Sequence, residues 1–588
     1  MNAMTTLLIS SWNRFFKREL FLLVPATVLF CGVPWQTHAE GFDYYPPEPT
    51  ATTTFESVGL YWTIGSHNGE ADIQVRYREA GAEPWQEALP LWYDLRDGEA
   101  RGSIVGLHPG TSYEIKLIWV AGNFGDNYEA TLTAETWSED VRVAKTIYLE
   151  PGNRHEPLII NEGGNPESGF VVYTVRPGEK LLIDVRDQHP YCVDIQASHV
   201  VVRGLILKGA SRDGIHLGDV KDVMIEDCDV SNWGRRTENY AYNLDSAIKS
   251  MSSELERVVV QRNRLHHPRY NANDWTQPSD LPKIHGYHPT GAQGISWKDN
   301  QGNHVIRFNE IYSDSEHRFN DGMGWWTNFT RRGFPGPDSD IYGNFVSDCA
   351  DDGIESEGGN RNVRIWGNYI ENTYHGIGTA PVSVGPAYIF RNVYSVSYIA
   401  PYPGGDSDAL VRYRNHNPRT NRGTFTKLGE MPRGGSGRQY WLHNTVLQPK
   451  PLPGKILPLG AIGAGRVGEI SELVALNNIF HAVSGHSYAG TPQEDSNTVD
   501  YNLFNGPLPP GAEAKNIHAT PRYAPGNGPE GGRHGMYQLA PDSRGRDEGK
   551  RLPNINDNSH GRAPDIGAHE GGSPRMVFGL GASEPKGD

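Results

Sequence analysis

Three stretches of this chain concentrate the residue types that can do acid–base chemistry. Arg318-Phe319-Asn320-Asp321-Gly322-Met323-Gly324-Trp325-Trp326 is followed by Asp351-Asp352-Gly353-Ile354-Glu355-Ser356-Glu357, then by Tyr374-His375-Gly376-Ile377-Gly378. In each, an acid or an imidazole stands directly before a glycine and an apolar residue. Carboxylates a few ångströms apart cannot all ionise, so one keeps its proton at neutral pH while its neighbour stays charged. Such a pair supplies what cleavage of a glycosidic acetal needs, a proton for the leaving oxygen and a carboxylate to direct water or attack carbon. The residue types predict Asp352 as the donor, Asp321 and Asp351 as the carboxylates that polarise water, and His375 as a group that orients or assists. Trp325, Trp326 and Tyr374 flank the acids as rings able to stack on sugar faces. The competing structural reading is that Asp-Gly is a common turn dipeptide, and Asp213-Gly214 carries it with no second acid beside it.

For these residues to meet, something must bring them into register. Short apolar strands ending in asparagine or its equivalent recur, closing at Gly204, Asp227, Asn263, Asn309, Asn344, Asn368, Asn392 and Asn444. The shortest intervals are in the low twenties and the longer ones leave room for inserted loops, which is the signature of a coil with one short turn per repeat. A turn of that length has space for three short strands and no helix, and regularly spaced leucines are absent, so a parallel β-helix is expected. Stacked turns lie ~4.8 Å apart, so the asparagines are expected to bond their neighbours above and below. A second set of strands gives the columns: Gly214-Ile215, Ala247-Ile248, Gly294-Ile295, Gly322-Met323, Gly353-Ile354, Gly376-Ile377 and Ala409-Leu410. The residues just before them are Asp213, Ser246, Gln293, Asp321, Asp352, His375 and Asp408. Strict alternation puts Asp352 on the side of inward Ile354 unless the chain bends at Gly353. Without that bend the outward column is His216, Lys249, Ser296, Lys298, Trp326, Glu355 and Glu357.

The coil resembles the right-handed parallel β-helix proteins, chiefly polysaccharide lyases and polygalacturonase-like glycoside hydrolases. The resemblance to the hydrolases rests on their Asn-x-Asp-Gly, Asp-Asp and His-Gly rungs. It assigns Asp321 to the first aspartate, Asp351 and Asp352 to the pair and His375 to the histidine, although Asn320 here directly precedes Asp321. It also implies a later basic pair, matched by Arg412 and Arg414, and no cofactor. The lyase alternative implies β-elimination from a uronate-containing glycan, assisted by Lys298 and Arg318, with Ca2+ held by Asp351, Asp352, Glu355 and Glu357, since dense oxygen ligands suit that ion. The segment Gly294-Ile295-Ser296-Trp297-Lys298 resembles the lysine rung of alginate-lyase-like members. A third reading is a non-catalytic carbohydrate-binding or adhesin β-helix. The loop from His266 to Pro289, with His266, His267, His285 and His288 beside Trp275 and Tyr287, is expected to contact substrate as a wall of the same face.

Four segments frame this coil. Residues 1–39 read as a secretory signal peptide, with Arg14, Lys17 and Arg18 ahead of an apolar run and cleavage expected after Ala39, placing the protein in the periplasm or outside the cell. Residues 45–140 read as a small β-sandwich, with period-two strands at Val58–Trp62 and Ile73–Arg78. Leu107-His108-Pro109-Gly110-Thr111-Ser112-Tyr113 resembles the tyrosine corner of a fibronectin type III domain, with Trp62 as core tryptophan. The β-helix is assigned to 143–505, and 506–588 to an irregular cover and tail whose last fifteen or so residues are disordered. The closing Ala563-Pro564-Asp565-Ile566-Gly567-Ala568-His569-Glu570 resembles the end motif of many β-helix proteins. With 68 Gly and 41 Pro among 588 residues, the composition suits many strands joined by turns. A formal charge of −16 argues against nucleic acid as the partner and leaves a polysaccharide or oligosaccharide. No stretch after the leader has the ~20 apolar residues that span a bilayer. Cys192, Cys228 and Cys349 lack metal-site spacing and are expected to be buried. Asp352→Asn is expected to abolish turnover with the fold intact, read as reducing ends released alongside an unchanged circular dichroism spectrum.

Overall fold

The structure is a computed structural model. It describes residues 47–65, 71–120, 127–235, 244–273, 289–325, 327–395, 424–429, 435–448, 460–464, 470–482, 488–489, 496–506 and 515–583 except 527, 529–531, 535 and 536. The predicted leader lies outside them. Residues 46–588 form a single compact unit.

Strands Val143–Tyr148 and Phe170–Thr174 begin a ladder that runs through Val200–Arg203, Lys221–Glu226 and Glu256–Gln261 to Thr498–Asp500, every pairing parallel. Among the described residues this sheet has 12 strands, and a second parallel sheet of 16 lies across the turns from it. Parallel pairing at this repeat length makes the chain a parallel β-helix, the class expected from its periodicity. Its core is a single column-built cluster in which Ile215, Ile248, Ile295, Met323, Ile354 and Ile377 stack on successive turns.

What fixes the register is a ladder of buried asparagines. Asn368 accepts from the backbone N–H of Asn344 (3.0 Å) and from its side-chain amide (2.9 Å), and donates to Asn392 Oδ1 (3.0 Å) and to the carbonyl of Ile341 (2.9 Å). The same pattern joins Asn263, Asn309, Asn344, Asn368, Asn392, Asn444, Asn478, Asn502 and Asn516. The residue before each ladder position from Asn263 to Asn502 is left-handed: Arg262, Phe308, Gly343, Gly367, Arg391, His443, Asn477 and Tyr501 all have φ between 53° and 65°. Gly204 and Asp227 belong to that left-handed column, and Cys228 is the residue whose N–H meets Asn263 (2.9 Å). The expected alignment of Gly204 and Asp227 with the asparagines is therefore one residue early. A turn that forces φ positive favours Gly and Asp, which is why these two mimic the repeat.

The N-terminal strands β1 (Thr50–Thr53), β2 (Ser57–Thr63), β3 (Asp72–Glu79), β4 (Gln86–Asp94), β5 (Glu99–Val105), β6 (Ser112–Val120) and β7 (Tyr128–Glu135) are antiparallel in the order β1-β2-β5-β4-β3-β6-β7. Trp62 lies in their common core, and the Tyr113 hydroxyl accepts from the N–H of His108 (2.8 Å), closing the corner that the sequence marked. This β-sandwich is docked on the outer face of the 12-stranded sheet. Phe55 joins Val172, Val201, Met224 and Val259 in one cluster, and Val105 joins Tyr388, Phe390 and Tyr440 in another. Strands covered on both faces read as continuous apolar runs, and Val200-Val201-Val202 is such a run. Charges buried at the junction are paired: Arg364 Nε meets Asp340 Oδ1 (2.6 Å), whose other oxygen accepts from Thr54 (2.5 Å), and Arg307 holds Glu139 (2.6 Å).

The C-terminal segment packs along the coil. Tyr537, Ala568 and Phe578 join Phe345, Tyr369 and Val393, and Gly579 donates to the carbonyl of Gly343 (2.8 Å). The expected disorder of the last fifteen residues is thus corrected as far as Ser583, because Phe578 buries its ring there. All three cysteines are buried. Leaving a buried amide partner unmatched costs about 1–3 kcal/mol, and Asn368→Ala strands partners on both neighbouring turns. That substitution is expected to lower stability by about 2–4 kcal/mol, measured as a shift of the urea unfolding midpoint.

Candidate active site

The acidic column is real, and one strand irregularity shapes it. On the strand Phe345–Glu355, Asp352 pairs with His375, Ile354 with Ile377 and Glu355 with Gly378 of the strand Tyr369–Thr379, while Cys349 pairs with Thr373. On its other side Cys349 bridges Phe319 and Ile354 bridges Met323. Both neighbours span this interval with one residue fewer, so the Phe345–Glu355 strand carries a β-bulge between Cys349 and Asp352. The departure from regular pairing falls before Asp352 and not at Gly353. Adjacent residues of a regular strand point to opposite faces. The bulge instead lets Asp351 and Asp352 aim together, with oxygens of both within 4.8 Å of each other and of a His375 nitrogen.

The next turn supplies a cation that sequence reasoning missed. The strand Thr424–Leu428 pairs with Tyr369–Thr379 so that Thr424 meets His375 and Lys427 meets Gly378. Lys427 Nζ lies 2.6 Å from Asp352 Oδ2, 3.0 Å from Glu357 and 3.6 Å from Glu355. Phe425-Thr426 therefore takes the rung assigned to Ala409-Leu410. The expectation failed because the insertion after Tyr394 breaks the period. The one sequence signal was the short alternating Thr424-Phe425-Thr426-Lys427-Leu428. Gly378 makes the reach across one turn feasible: a Cβ there would stand 2.7 Å from Asp352 Oδ2 and 2.9 Å from Glu357 Oε1.

Asp321, Asp351, Asp352, Glu355 and Glu357 are all buried around this ammonium. Asp321 accepts from the Gln293 amide (2.6 Å), the Asn320 amide (2.7 Å) and the backbone N–H of Asp352 (3.0 Å). Burial, and next the charge of Asp352, push Asp321 up to about 7. Burial likewise raises Glu357 to about 7 against the pull of Lys427. Asp351 is raised well above the usual carboxylate range by burial and then by Asp352, and Glu355 by burial and then by Asp321. Burial alone would lower Lys427, but the surrounding carboxylates, Asp352 foremost, hold it well above the ordinary lysine value. A cluster with five carboxyls and one ammonium among its described residues keeps some protons at neutral pH, the condition for a general acid.

Other expected site residues fare differently. Trp325 and Tyr374, read as stacking platforms, are 5% and 4% exposed. Lys249 Nζ covers the Trp325 ring at 4.7 Å, and the Tyr374 ring lies against His375 at 4.6 Å. Neither ring is an open platform, because both are buried and Lys249 and His375 lie against them. Lys298 is exposed three positions past Ile295, whereas Arg318 stands five positions before Met323, the partner of Ile295. The two occupy opposite ends of the strand and are not brought together. His266 ends a strand of the same 16-stranded sheet and pairs with Ser231 and Tyr312, in a register that leads to the Phe345–Val346 end of the strand Phe345–Glu355, the end away from Asp351 and Asp352. Trp326, His285, His288, Arg412 and Arg414 lie outside the described residues.

The four-residue Ca2+ set also meets Lys427. Asp352, Glu355 and Glu357 do bring oxygens within 4.8 Å of one another, but the ammonium already stands among them. Ca2+ takes six to eight oxygens, whereas the three carboxylates as arranged here are gathered on the Lys427 ammonium.

No protein-family model matches the chain, and no curated protein matches it. A similar solved structure is the 1.7 Å crystal structure of Jun a 1, the major allergen from cedar pollen, at 10% identity, with 60% of this chain and 82% of that chain covered and a TM-score of 0.25.

Because Asp321 and Glu357 hold protons in the fold up to about 7, the folded chain binds more protons than the unfolded one above about pH 4. Their stabilising contribution is full below that pH and is lost as pH rises through about 7. Urea unfolding is expected to show stability falling by a few kcal/mol from about pH 5 to about pH 8, and Asp321→Asn to flatten that slope.

Proposed function

We propose that this protein is an exported polysaccharide-cleaving enzyme, and specifically a glycoside hydrolase. The observation that carries this reading is the gathering of Asp321, Asp351 and Asp352 in one buried cluster in which Asp352 pairs with Lys427, so that carboxyls held protonated stand beside an ion-paired carboxylate. The pair geometry favours a change in the expected roles. Lys427 forms its ion pair with Asp352 (2.6 Å), so the negative charge of the aspartate pair belongs there, and the proton belongs on Asp351.

In this mechanism Asp351 donates its proton to the glycosidic oxygen as the bond to the anomeric carbon breaks. Asp352, the ion-paired carboxylate, directs a water on the developing oxocarbenium ion and accepts its proton, while Asp321 beside it helps to orient that water. Lys427 keeps the negative charge of Asp352 in place, and His375, paired with Asp352 in the sheet, lines the same floor. In this reading no step requires a metal. The N-terminal sandwich serves as a fibronectin type III-like module of the exported chain.

Incubation with a panel of polyuronates and neutral glycans is expected to release reducing ends with no new ultraviolet absorbance. Asp351→Asn is expected to lower kcat by about a thousandfold or more with circular dichroism unchanged. Absorbance from a new double bond would instead identify elimination and refute the hydrolase reading.

A further inference from the structure

The turn between β4 and β5 of the sandwich reaches the segments that hold Glu357. Arg96 donates to the carbonyls of Ser383 (3.1 Å), Val384 (3.1 Å) and Gly435 (2.7 Å). Arg101, fully buried, donates to Val384 O (3.3 Å) and to Asp97 (3.0 Å), and pairs with Asp94. Asp97 in turn pairs with Arg331.

From the other side, both gripped segments touch Glu357 and its neighbour. Asn328 donates to Glu357 Oε2, and the backbone N–H of Ala380 also reaches that carboxylate. Ser383 N donates to Gly358 O (2.7 Å) and its hydroxyl to Thr330 O, while Gly358 N donates to Pro381 O (2.8 Å). The segments 327–333 and 380–384 thus clasp residues 357–358 and are joined to each other, with the β4–β5 turn behind both. An exposed ion pair alone contributes at most about 1 kcal/mol. Here the buried Arg101 ties Asp94 and Asp97 into one network, which makes the turn a rigid backing.

We propose that the N-terminal sandwich completes the carboxylate site, its β4–β5 turn acting through Arg96 and Asp97 as the positioning element that seats segments 327–333 and 380–384 on Glu357. The proposal takes that cluster as the working site, as in the hydrolase reading, but its primary test needs no substrate. The sandwich is then a wall of the site and not a spacer, and Arg96 and Asp97 are positioning residues that touch no reacting atom.

Hydrogen exchange on the full chain provides the test, with Arg96→Ala, Asp97→Ala, the conservative Asp97→Glu, and Glu87→Ala as a control at an exposed pair elsewhere on the sandwich. Asp97→Ala is expected to speed amide exchange in 327–333 by about tenfold or more, and Arg96→Ala to do so in 380–384. Exchange in β2, β6 and the rungs between residues 200 and 261 stays as in the wild type, Glu87→Ala changes nothing, and Asp97→Glu restores protection. On any glycan that the wild type cleaves, kcat/KM falls about tenfold in the two alanine variants. Unchanged exchange in both segments overturns the proposal, as does a uniform rise across the whole sandwich. If the wild type cleaves no glycan, the hydrolase reading fails while the exchange data still decide the positioning role.

Discussion

Every other feature of this chain depends on stacking like positions at a single spacing. Successive turns lie ~4.8 Å apart, and the buried asparagines hold them there. Each side chain accepts from the backbone N–H and the amide of the asparagine one turn before, and donates its own amide to the asparagine one turn on and to a carbonyl of the preceding turn. A buried amide without partners is costly, so a slip of one residue at any rung would strand several groups at once. The left-handed residue before the asparagines makes the bend, which suits the three glycines of that column and is imposed on Arg262, Phe308, Arg391, His443 and Tyr501 by the stacking.

The same constraint builds the acidic cluster. Residues that would be far apart in a globular chain are forced into adjacent places, whatever their mutual repulsion. Asp321, Asp352 and His375 occupy one column because Met323, Ile354 and Ile377 must fill the core beneath them. Repulsion is then relieved in two ways, by protonation of several carboxyls and by the ammonium of Lys427 reaching across the turn that Gly378 leaves open. The bulge before Asp352 adds an oxygen-bearing side chain that regular alternation would have turned away.

A coil of this kind exposes its outer faces, and the sandwich covers much of one. Its junction with the 12-stranded sheet combines apolar clusters around Phe55 and Val105 with fully paired buried charges such as Arg364 with Asp340. A buried charge is tolerated only when paired and hydrogen-bonded, and Thr54 of the sandwich completes this pair by donating to Asp340. The tail does similar work on the opposite side, where Phe578 and Tyr537 pack against Phe345 and Tyr369.

The sequence by itself determined the coil, the corner of the sandwich and the column of Asp321, Asp352 and His375. Each of these follows from local periodicity, and periodicity in a stacked fold is already three-dimensional information. Tertiary structure alone decided what periodicity does not encode. Lys427 follows a long insertion, so its rung is assigned only by pairing with Gly378. The facing of Asp351 with Asp352 depends on a bulge that is visible only against both neighbouring turns. Trp325 and Tyr374 looked like open rings because sequence shows residue type but not what lies above it. Arg96 and Asp97 are separated from Glu357 by more than two hundred residues, and contacts between domains leave no repeat in the chain that makes them.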